Sequence, residues 1–219
     1  MQTRRYELIV FDWDGTLMDS ADTIVECLLA SCRDIAVAPP TREAARHVIG
    51  LGLGEALASM LPDLPSERHG ELVERYRTHF LSRDSDVPLF DGAAQTIADL
   101  HARGYRLAIA TGKSRRGLDR ALAQTGLGEF FHATRCADES ASKPDPRMLN
   151  ELLRQFDLKP QQALMIGDTT HDIRMAQQAH VDCVAVAHGA HHADDLRALT
   201  PLACLQSIAE VNAWLHRYA

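Results

Sequence analysis

The sequence lacks several features that mark particular classes of protein. Its five cysteines are an odd number and include no C-x-x-C pair, so neither a disulfide framework nor a zinc site is expected. No stretch approaches the roughly 18 apolar residues of a membrane-spanning helix, and the basic residues 1–12 lack the apolar run of a signal peptide. We therefore expect a soluble, cytoplasmic protein that has no membrane partner.

An excess of positive charge is also absent. The net charge is -7, whereas proteins that bind nucleic acid present a basic surface to the phosphate backbone, so a nucleic-acid partner is not expected. The 219 residues are 46% hydrophobic and 24% charged, which is typical of a globular protein with one large domain or two modest ones. A monomer and a homodimer are both compatible with this composition.

Strand and helix patterns alternate along much of the chain. A strand is predicted at residues 7–11, ELIVF, which are apolar from Leu8 onward, as in a strand that is covered on both faces. Further strands are predicted at 105–111, 131–137, 163–168 and 182–187, with helices at 93–103, 114–126, 145–157, 171–179 and 207–218. This alternation predicts an α/β fold, a doubly wound parallel sheet with right-handed crossovers.

A helical block interrupts the alternation directly after the first strand. No strand pattern occurs between Thr16 and Pro88. Four helices are predicted there instead, at 20–35, 42–49, 53–61 and 66–82. Because the block follows the first strand, we expect an inserted domain rather than a terminal extension. The predicted division is a core domain of residues 1–16 and 88–219 and an all-helical domain of residues 17–87.

Acidic side chains follow the ends of two predicted strands. Asp12 and Asp14 come directly after the first strand, and their i, i+2 spacing points both to one side of an extended chain. Asp168 ends another strand, and Asp172 lies one helical turn further on. Ligands of doubly wound sheets bind beyond the carboxyl ends of the strands, where clustered carboxylates repel one another unless a cation joins them. We expect Mg²⁺, which prefers oxygen ligands, as the cofactor.

The same edge of the sheet receives groups that are suited to a phosphate. Thr111 and Gly112 follow the strand at 105–111, and Lys143 precedes a helix within the stretch SKPDP. A hydroxyl, a backbone N–H and an ammonium group can hold phosphoryl oxygens, while an aspartate beside Mg²⁺ can attack phosphorus. The pattern therefore favours phosphoryl transfer through an aspartyl-phosphate.

At these residues the chain resembles the haloacid dehalogenase (HAD) superfamily. FDWDGTLMDS (11–20) resembles the first motif, IAT (109–111) the second, SKPDP (142–146) the third and GDTTHD (167–172) the fourth. The helices inserted after the first motif resemble the helical, C1-type cap of this Rossmann-like core. Within the superfamily the chain resembles phosphoglycolate phosphatase-like hydrolases. This resemblance implies a Mg²⁺-dependent phosphatase that acts on a small organic phosphomonoester, such as phosphoglycolate or a sugar phosphate.

The resemblance also implies a role for each acid. Asp12 would be the nucleophile, and Asp14 would protonate the leaving alcohol and then activate water. Asp168 would bind Mg²⁺ together with Asp12 and the backbone carbonyl of Asp14. Asp172 matches the last acid of the fourth motif and would act on the metal through water or from outside its ligand shell. Residues 15–16 would lie where the chain unwinds to open and close the cap.

The remaining matched positions would bind the substrate. Thr111, Gly112 and Lys143 would hold the phosphoryl group, as the second and third motifs do in the superfamily. The glycine-rich cap stretch HVIGLGLGEAL would face the active site and contribute to substrate choice. Beside it, Arg46 and His47 are candidate contacts for an anionic tail of the substrate.

Two functional alternatives stay open. A sugar phosphomutase similar to β-phosphoglucomutase keeps the same four motifs, and a binding or regulatory module could keep the fold without turnover. Other branches fit less well, because dehalogenases have a non-acid at the position of Asp14 and phosphonate-cleaving members use a cap lysine, which residues 17–87 do not contain. Phosphate release from a test substrate distinguishes a phosphatase from both alternatives.

Several of these residues also have purely structural interpretations. Asp12 and Asp14 could be turn formers at a strand end, and Thr111 could cap the next helix. Lys143 could be an exposed surface residue, and Asp172 could be an acid that the helix dipole favours in the first turn. The order of the four motifs favours the functional interpretation.

Four further features carry no specific catalytic prediction. Lys113 is expected to be solvated or to attract phosphate, and His171 to line the site without taking part in catalysis. The histidine-rich stretch at 188–192 is expected to be a solvated loop, because it lacks the partner cysteines and helical spacing of a metal site. ATGKS does not form a P-loop, since Leu107 stands where that motif requires a glycine.

Overall fold

The computed structural model describes residues 5–218, and within this range the chain forms six strands and ten α-helices. The strands are β1 (Leu8–Phe11), β2 (Arg106–Thr111), β3 (Ala133–Cys136), β4 (Ala163–Gly167), β5 (Asp182–Val186) and β6 (Ala203–Leu205). The helices are α1 (Ala21–Asp34), α2 (Arg42–His47), α3 (Leu53–Met60), α4 (His69–Leu81), α5 (Ala93–Ala102), α6 (Arg115–Thr125), α7 (Arg147–Phe156), α8 (Thr170–Gln178), α9 (Ala193–Ala198) and α10 (Ile208–Tyr218).

The strands form one parallel sheet in the order β3-β2-β1-β4-β5-β6. β1 lies inside the sheet, between β2 and β4, which explains why its sequence is apolar at every position. Its side chains alternate between two apolar layers: Ile9 and Phe11 pack with residues of α5 and α10, and Leu8 and Val10 pack with residues of α7 and α8. The sheet is therefore covered by a packed apolar layer on each of its two faces.

Helices α1 to α4 are inserted between β1 and β2 and have an apolar core of their own. Residues of α1, including Ile24 and Leu28, pack against Leu57 of α3 and Leu72 of α4. A parallel sheet flanked by helices, with further helices inserted after its first strand, confirms the predicted fold class. The domain boundaries after residue 16 and before residue 88 stay a prediction.

The two chain segments that connect the inserted helices to the sheet run side by side. Met18 bridges to Asp14 and to Leu89. The backbone N–H of Asp19 donates to the carbonyl of Pro88 at 2.9 Å, and the N–H of Phe90 donates to the carbonyl of Leu17 at the same distance. We call residues 17–19 and 88–90 the linker ribbon, because backbone hydrogen bonds join its two segments.

Two elements near the C-terminus differ from the sequence-based expectation. β6 and α9 were not predicted, and β6 is only three residues long and half-buried at the sheet edge. The helix predicted at 66–82 begins with a 3₁₀ turn at Ser66–Arg68 before α4.

Among residues 5–218, no helix combines the length and apolar character that a bilayer crossing requires.

Candidate active site

The acids of the first and fourth motifs meet because their strands are neighbours. Phe11 of β1 pairs with Ile166 of β4, and the N–H of Asp12 donates to the carbonyl of Ile166 at 2.9 Å. Asp12 and Asp168 therefore leave adjacent strands at the same edge. Carboxylate oxygens of Asp12, Asp168 and Asp172 all lie within 4.8 Å of one another, and all three side chains are buried.

Asp172 is fixed in this group by the start of helix α8. The hydroxyl of Thr169 accepts a hydrogen bond from the Asp172 N–H at 3.3 Å, and Asp172 Oδ2 accepts from the Thr169 N–H at 3.0 Å. This reciprocal pair is a capping box. The Thr169 hydroxyl also lies 2.7 Å from Asp172 Oδ2. Asp172 thus caps the start of α8, in agreement with its structural interpretation. Its Oδ1 nevertheless remains in the site, 2.7 Å from the Lys143 ammonium nitrogen.

Lys143 is the buried cation of the site. Its ammonium nitrogen lies 2.8 Å from Asp12 Oδ1 and 2.7 Å from Asp172 Oδ1, and its side chain is 0% exposed. The interpretation of Lys143 as an exposed residue is therefore wrong. Burial opposes its charge, but the adjacent carboxylates outweigh that effect and raise the pKa of Lys143 above its ordinary value.

One ammonium group does not balance three buried carboxylates. Burial raises the pKa of Asp12 well above its ordinary value; Lys143 opposes this, and the charges of Asp172 and Asp168 add to it. Burial, followed by the charge of Asp172, raises the pKa of Asp168 to about 7. The group as a whole therefore favours an additional positive charge.

The donor atoms suit a hard divalent cation. The buried Oδ2 of Asp12 has no hydrogen-bond partner within the part of the chain that the structure describes. Asp168 is oriented by two donors, the Thr16 hydroxyl at 2.6 Å and the Ala190 N–H at 2.7 Å. Clustered and oriented carboxylate oxygens are the ligands that Mg²⁺ prefers, so the residues fit the predicted cofactor.

Asp14 has a different environment from the other three acids. Its Oδ1 accepts hydrogen bonds from the Ser20 hydroxyl at 2.7 Å and from the Lys113 ammonium group at 2.9 Å. Its carboxylate is not one of the three that converge. Two acids two residues apart thus have separate surroundings, which is the arrangement that lets one act as nucleophile and the other exchange protons.

The second motif lies beneath the cap. Thr111 is buried at the end of β2, and its hydroxyl accepts from the N–H of Lys113 at 3.2 Å. It does not cap the next helix, because Ser114 is the N-cap of α6. A Cβ at Gly112 would fall 2.4 Å from the carbonyl oxygen of Leu51 and 2.6 Å from that of Gly50. Only glycine fits this close approach between the turn after β2 (residues 111–113) and the cap loop at residues 50–52.

Arg46 and His47 lie where the cap meets the core. The guanidinium of Arg46 pairs with Asp22 on α1 and donates to the carbonyl of Gly189 at 3.4 Å. The backbone carbonyl of His47 accepts from Nε2 of His171 at 2.9 Å. Their proposed contact with an anionic substrate tail stays a prediction, and the structure adds that both residues connect the cap to the core.

The histidine-rich stretch does not form a solvated loop at His191. This residue is buried; its Nε2 lies 3.1 Å from the His47 carbonyl, and its Nδ1 accepts from the Thr170 N–H at 3.1 Å. The rings of His47 and His191 stack with centroids 4.8 Å apart. Burial lowers the pKa of His191 to about 4 and also lowers the pKa of His171. Both histidines therefore act as neutral contacts between cap and core.

Comparison with known proteins agrees with this geometry. Residues 9–186 match the family model described as haloacid dehalogenase-like hydrolase. The chain belongs to the haloacid dehalogenase-like hydrolases. This identification confirms the resemblance and the predicted enzyme class, a phosphoric monoester hydrolase of that superfamily.

The similarity to known proteins extends over nearly the whole length of this hydrolase. It is 33% identical over 216 residues to "Probable phosphatase IndB" of Dickeya dadantii, covering 95% of this chain and 93% of that protein. It is 28% identical to a phosphoglycolate phosphatase of Colwellia psychrerythraea, covering 99% of this chain and 100% of that protein. The crystal structure of a hydrolase from Pseudomonas syringae has the same fold, with a TM-score of 0.88, 20% identity and coverage of 97% and 98%.

Sequence reasoning missed three residues that contact the acids of this hydrolase. Thr16 was placed in a hinge, but its hydroxyl orients Asp168. Ser20 was not singled out, although it is buried and donates to Asp14. Lys113 was expected to be solvated or to attract phosphate; its side chain is only 10% exposed and pairs with Asp14, and an attraction for phosphate stays a prediction. Thr16 and Ser20 lie within the first motif, and their polar side chains were the feature of the sequence that could have indicated these contacts.

Proposed function

We propose that this hydrolase is a Mg²⁺-dependent phosphatase of small organic phosphomonoesters that works through an aspartyl-phosphate on Asp12. The observation that carries the proposal is the convergence of Asp12, Asp168 and Asp172 around an unpaired carboxylate oxygen, with Lys143 beside them. A binding module has no need for a buried carboxylate nucleophile next to a separately held acid. The geometry therefore supports turnover rather than binding alone.

Each residue has a chemical task in this reaction. The Asp12 carboxylate attacks phosphorus, and the bond to the leaving oxygen breaks while Asp14 supplies a proton to the departing alcohol. Asp14 then removes a proton from a water molecule, which attacks the phosphorus of the acyl phosphate and regenerates Asp12. Lys143, the Thr111 hydroxyl and the Gly112 N–H neutralise charge on the phosphoryl oxygens.

The residues that would hold Mg²⁺ are Asp12, Asp168 and the backbone carbonyl of Asp14, with Asp172 beside them. When bound, the ion would neutralise charge on the phosphoryl group and on the clustered carboxylates. Thr16 and Ala190 would keep Asp168 oriented in this role, because both already donate to its two oxygens.

The cap supports a small substrate. Its loop at 50–52 packs against Gly112, in the turn after β2. The N–H of Gly52 donates to the hydroxyl of Ser142, next to Lys143, at 2.7 Å. A loop in this position excludes water from the acyl phosphate until the cap opens. Arg46 and His47 are the candidate contacts for substrate at the margin of this loop, and the phosphoglycolate phosphatase relative favours a short anionic substrate.

Phosphate release from a panel of phosphometabolites tests the function. We expect release from p-nitrophenyl phosphate and from at least one small phosphomonoester such as phosphoglycolate, and we expect EDTA to remove it. Restored activity on adding excess Mg²⁺ is the control for nonspecific effects of the chelator. Glucose 6-phosphate formed from β-glucose 1-phosphate without phosphate release would instead identify a mutase, and no turnover of any substrate would identify a binding module.

Mg²⁺ should also stabilise the protein in a pH-dependent way. The folded-state pKa of Asp168 is raised to about 7, so its proton stabilises the metal-free fold at low pH, and this stabilisation is lost as the pH rises through that value. A cation must displace the same proton, so the Mg²⁺-induced rise in Tm should be larger at about pH 8 than at about pH 6. Thermal melts with and without Mg²⁺ measure this effect. Asp168→Asn is the control, and an equal rise in Tm for that variant would contradict the assigned site.

A further inference from the structure

We propose that Lys113 is a positioning residue that holds Asp14 for proton exchange, and that Phe80 of the cap completes this arrangement. The inference rests on the proposed function and extends it to two residues outside the four motif assignments. Lys113 follows Gly112, and its ammonium nitrogen lies 2.9 Å from Asp14 Oδ1. The chain contains only three lysines, and two of them, Lys113 and Lys143, pair with acids of the site.

The contact fixes Asp14 at one of its two oxygens. Ser20 and Lys113 both donate to Oδ1, so this oxygen is held from two sides and Oδ2 receives neither bond. The carboxylate can then present Oδ2 to a leaving alcohol or to water in a fixed direction. A proton donor that is placed in this way loses less conformational freedom in the transition state than a freely rotating one.

Phe80 covers the ion pair from the cap. The Lys113 ammonium nitrogen lies 4.7 Å from the centroid of the Phe80 ring, a distance at which the face of an aromatic ring attracts a cation. Phe80 is 9% exposed and packs with the apolar core of the inserted helices. Because Asp14 and Lys113 belong to the core, this three-residue contact exists only while the cap lies against it.

The arrangement is not explained by stability alone. Withdrawing an ammonium and a carboxylate from water costs free energy that their attraction repays only in part, so an apolar pair of similar volume would serve the fold as well. The Lys113 side chain is nevertheless 10% exposed and the Asp14 side chain 11%. Lys113 also donates its backbone N–H to Thr111, so one residue contacts both the proton-exchanging acid and the proposed phosphate ligand.

Two substrates of similar shape test the proposal. Phenyl phosphate needs protonation of its leaving oxygen more than p-nitrophenyl phosphate does, because p-nitrophenolate is the better leaving group. We expect Lys113→Met to lower kcat/KM for phenyl phosphate about tenfold more than for p-nitrophenyl phosphate, a part of the roughly 10²–10⁴-fold contribution of a placed acid. Lys113→Arg should recover part of the loss, and Phe80→Leu should show the same preference to a smaller degree.

The controls separate this role from simple damage to the fold. Lys159→Met alters the exposed third lysine and should leave both substrates unchanged. Equal losses for the two substrates in Lys113→Met would overturn the positioning role, and so would a rise in KM alone, which would mark a direct substrate contact. If the wild-type protein with Mg²⁺ hydrolyses neither substrate, both the proposed function and this inference are overturned. An active wild type with equal losses would overturn only the inference.

Discussion

Asp12→Asn should abolish phosphatase activity and leave the fold nearly unchanged. The amide that replaces the carboxylate is a poor nucleophile, so kcat should fall by at least about 10³-fold. The structural cost is small, because burial and the charges of Asp172 and Asp168 already disfavour ionised Asp12 in the metal-free protein. A neutral amide removes this repulsion but weakens one of the two ion pairs of Lys143. The measurements are phosphate release and thermal unfolding of the variant beside the wild type.

Two further variants make this result specific. Asp12→Ala removes the side chain and should be equally inactive, which shows that loss of the carboxylate rather than a new amide contact is responsible. Asp194→Asn changes a carboxylate that is 95% exposed and should have full activity. Wild-type turnover by Asp12→Asn would contradict the nucleophile assignment.

Lys143→Met should cost both stability and activity. Methionine has a similar length but leaves the carboxylates of Asp12, Asp168 and Asp172 without their buried cation. Removing one partner of a buried ion pair typically lowers the free energy of unfolding by about 3–5 kcal/mol, and we expect a loss of this size in metal-free protein. Activity should fall by at least about 10²-fold, because the charge proposed to stabilise the phosphoryl oxygens is lost. Urea denaturation in EDTA and steady-state kinetics measure the two effects.

A second substitution tests the cause of the instability. Combining Lys143→Met with Asp172→Asn removes one of the uncompensated charges, and the double variant should recover part of the lost stability without recovering activity. The asparagine side-chain oxygen can still accept from the Thr169 N–H, so the start of α8 is preserved. A double variant that is less stable than Lys143→Met would show that crowded carboxylates are not the cause.

The sequence predicted the sheet where strands are buried on both faces. LIVF in β1 and ALMIG in β4 are apolar at every position, because each strand lies between two others and beneath helices on both sides. β6 escaped prediction because it has three half-buried residues at the sheet edge and pairs only with β5. Such a strand is determined by tertiary pairing rather than by its own residues.

The same contrast applies to the site. Asp12 and Asp168 could be placed together because parallel strands deliver their following residues to one edge. The contacts of Thr16 with Asp168 and of Lys113 with Asp14 join residues that are 152 and 99 positions apart. They depend on how the chain turns after β1 and on the pairing of β1 with β2 and β4. No local pattern encodes these distances, and a lysine beside a serine is normally expected to be solvated.

The linker ribbon has a mechanical consequence. Because residues 17–19 and 88–90 are hydrogen-bonded to one another, the two covalent connections of the helical insert to the core form one narrow ribbon. We expect the insert to move mainly by rotation about this ribbon, since sliding or twisting would break the hydrogen bonds between the two segments. Asp14, the proposed acid–base residue, lies beside this ribbon and is bridged to Met18, whereas Phe80 belongs to the inserted helices. Each rotation of the insert would therefore make and break the contact of Phe80 with Lys113, while Asp12, Asp14 and Asp168 keep their positions in the core.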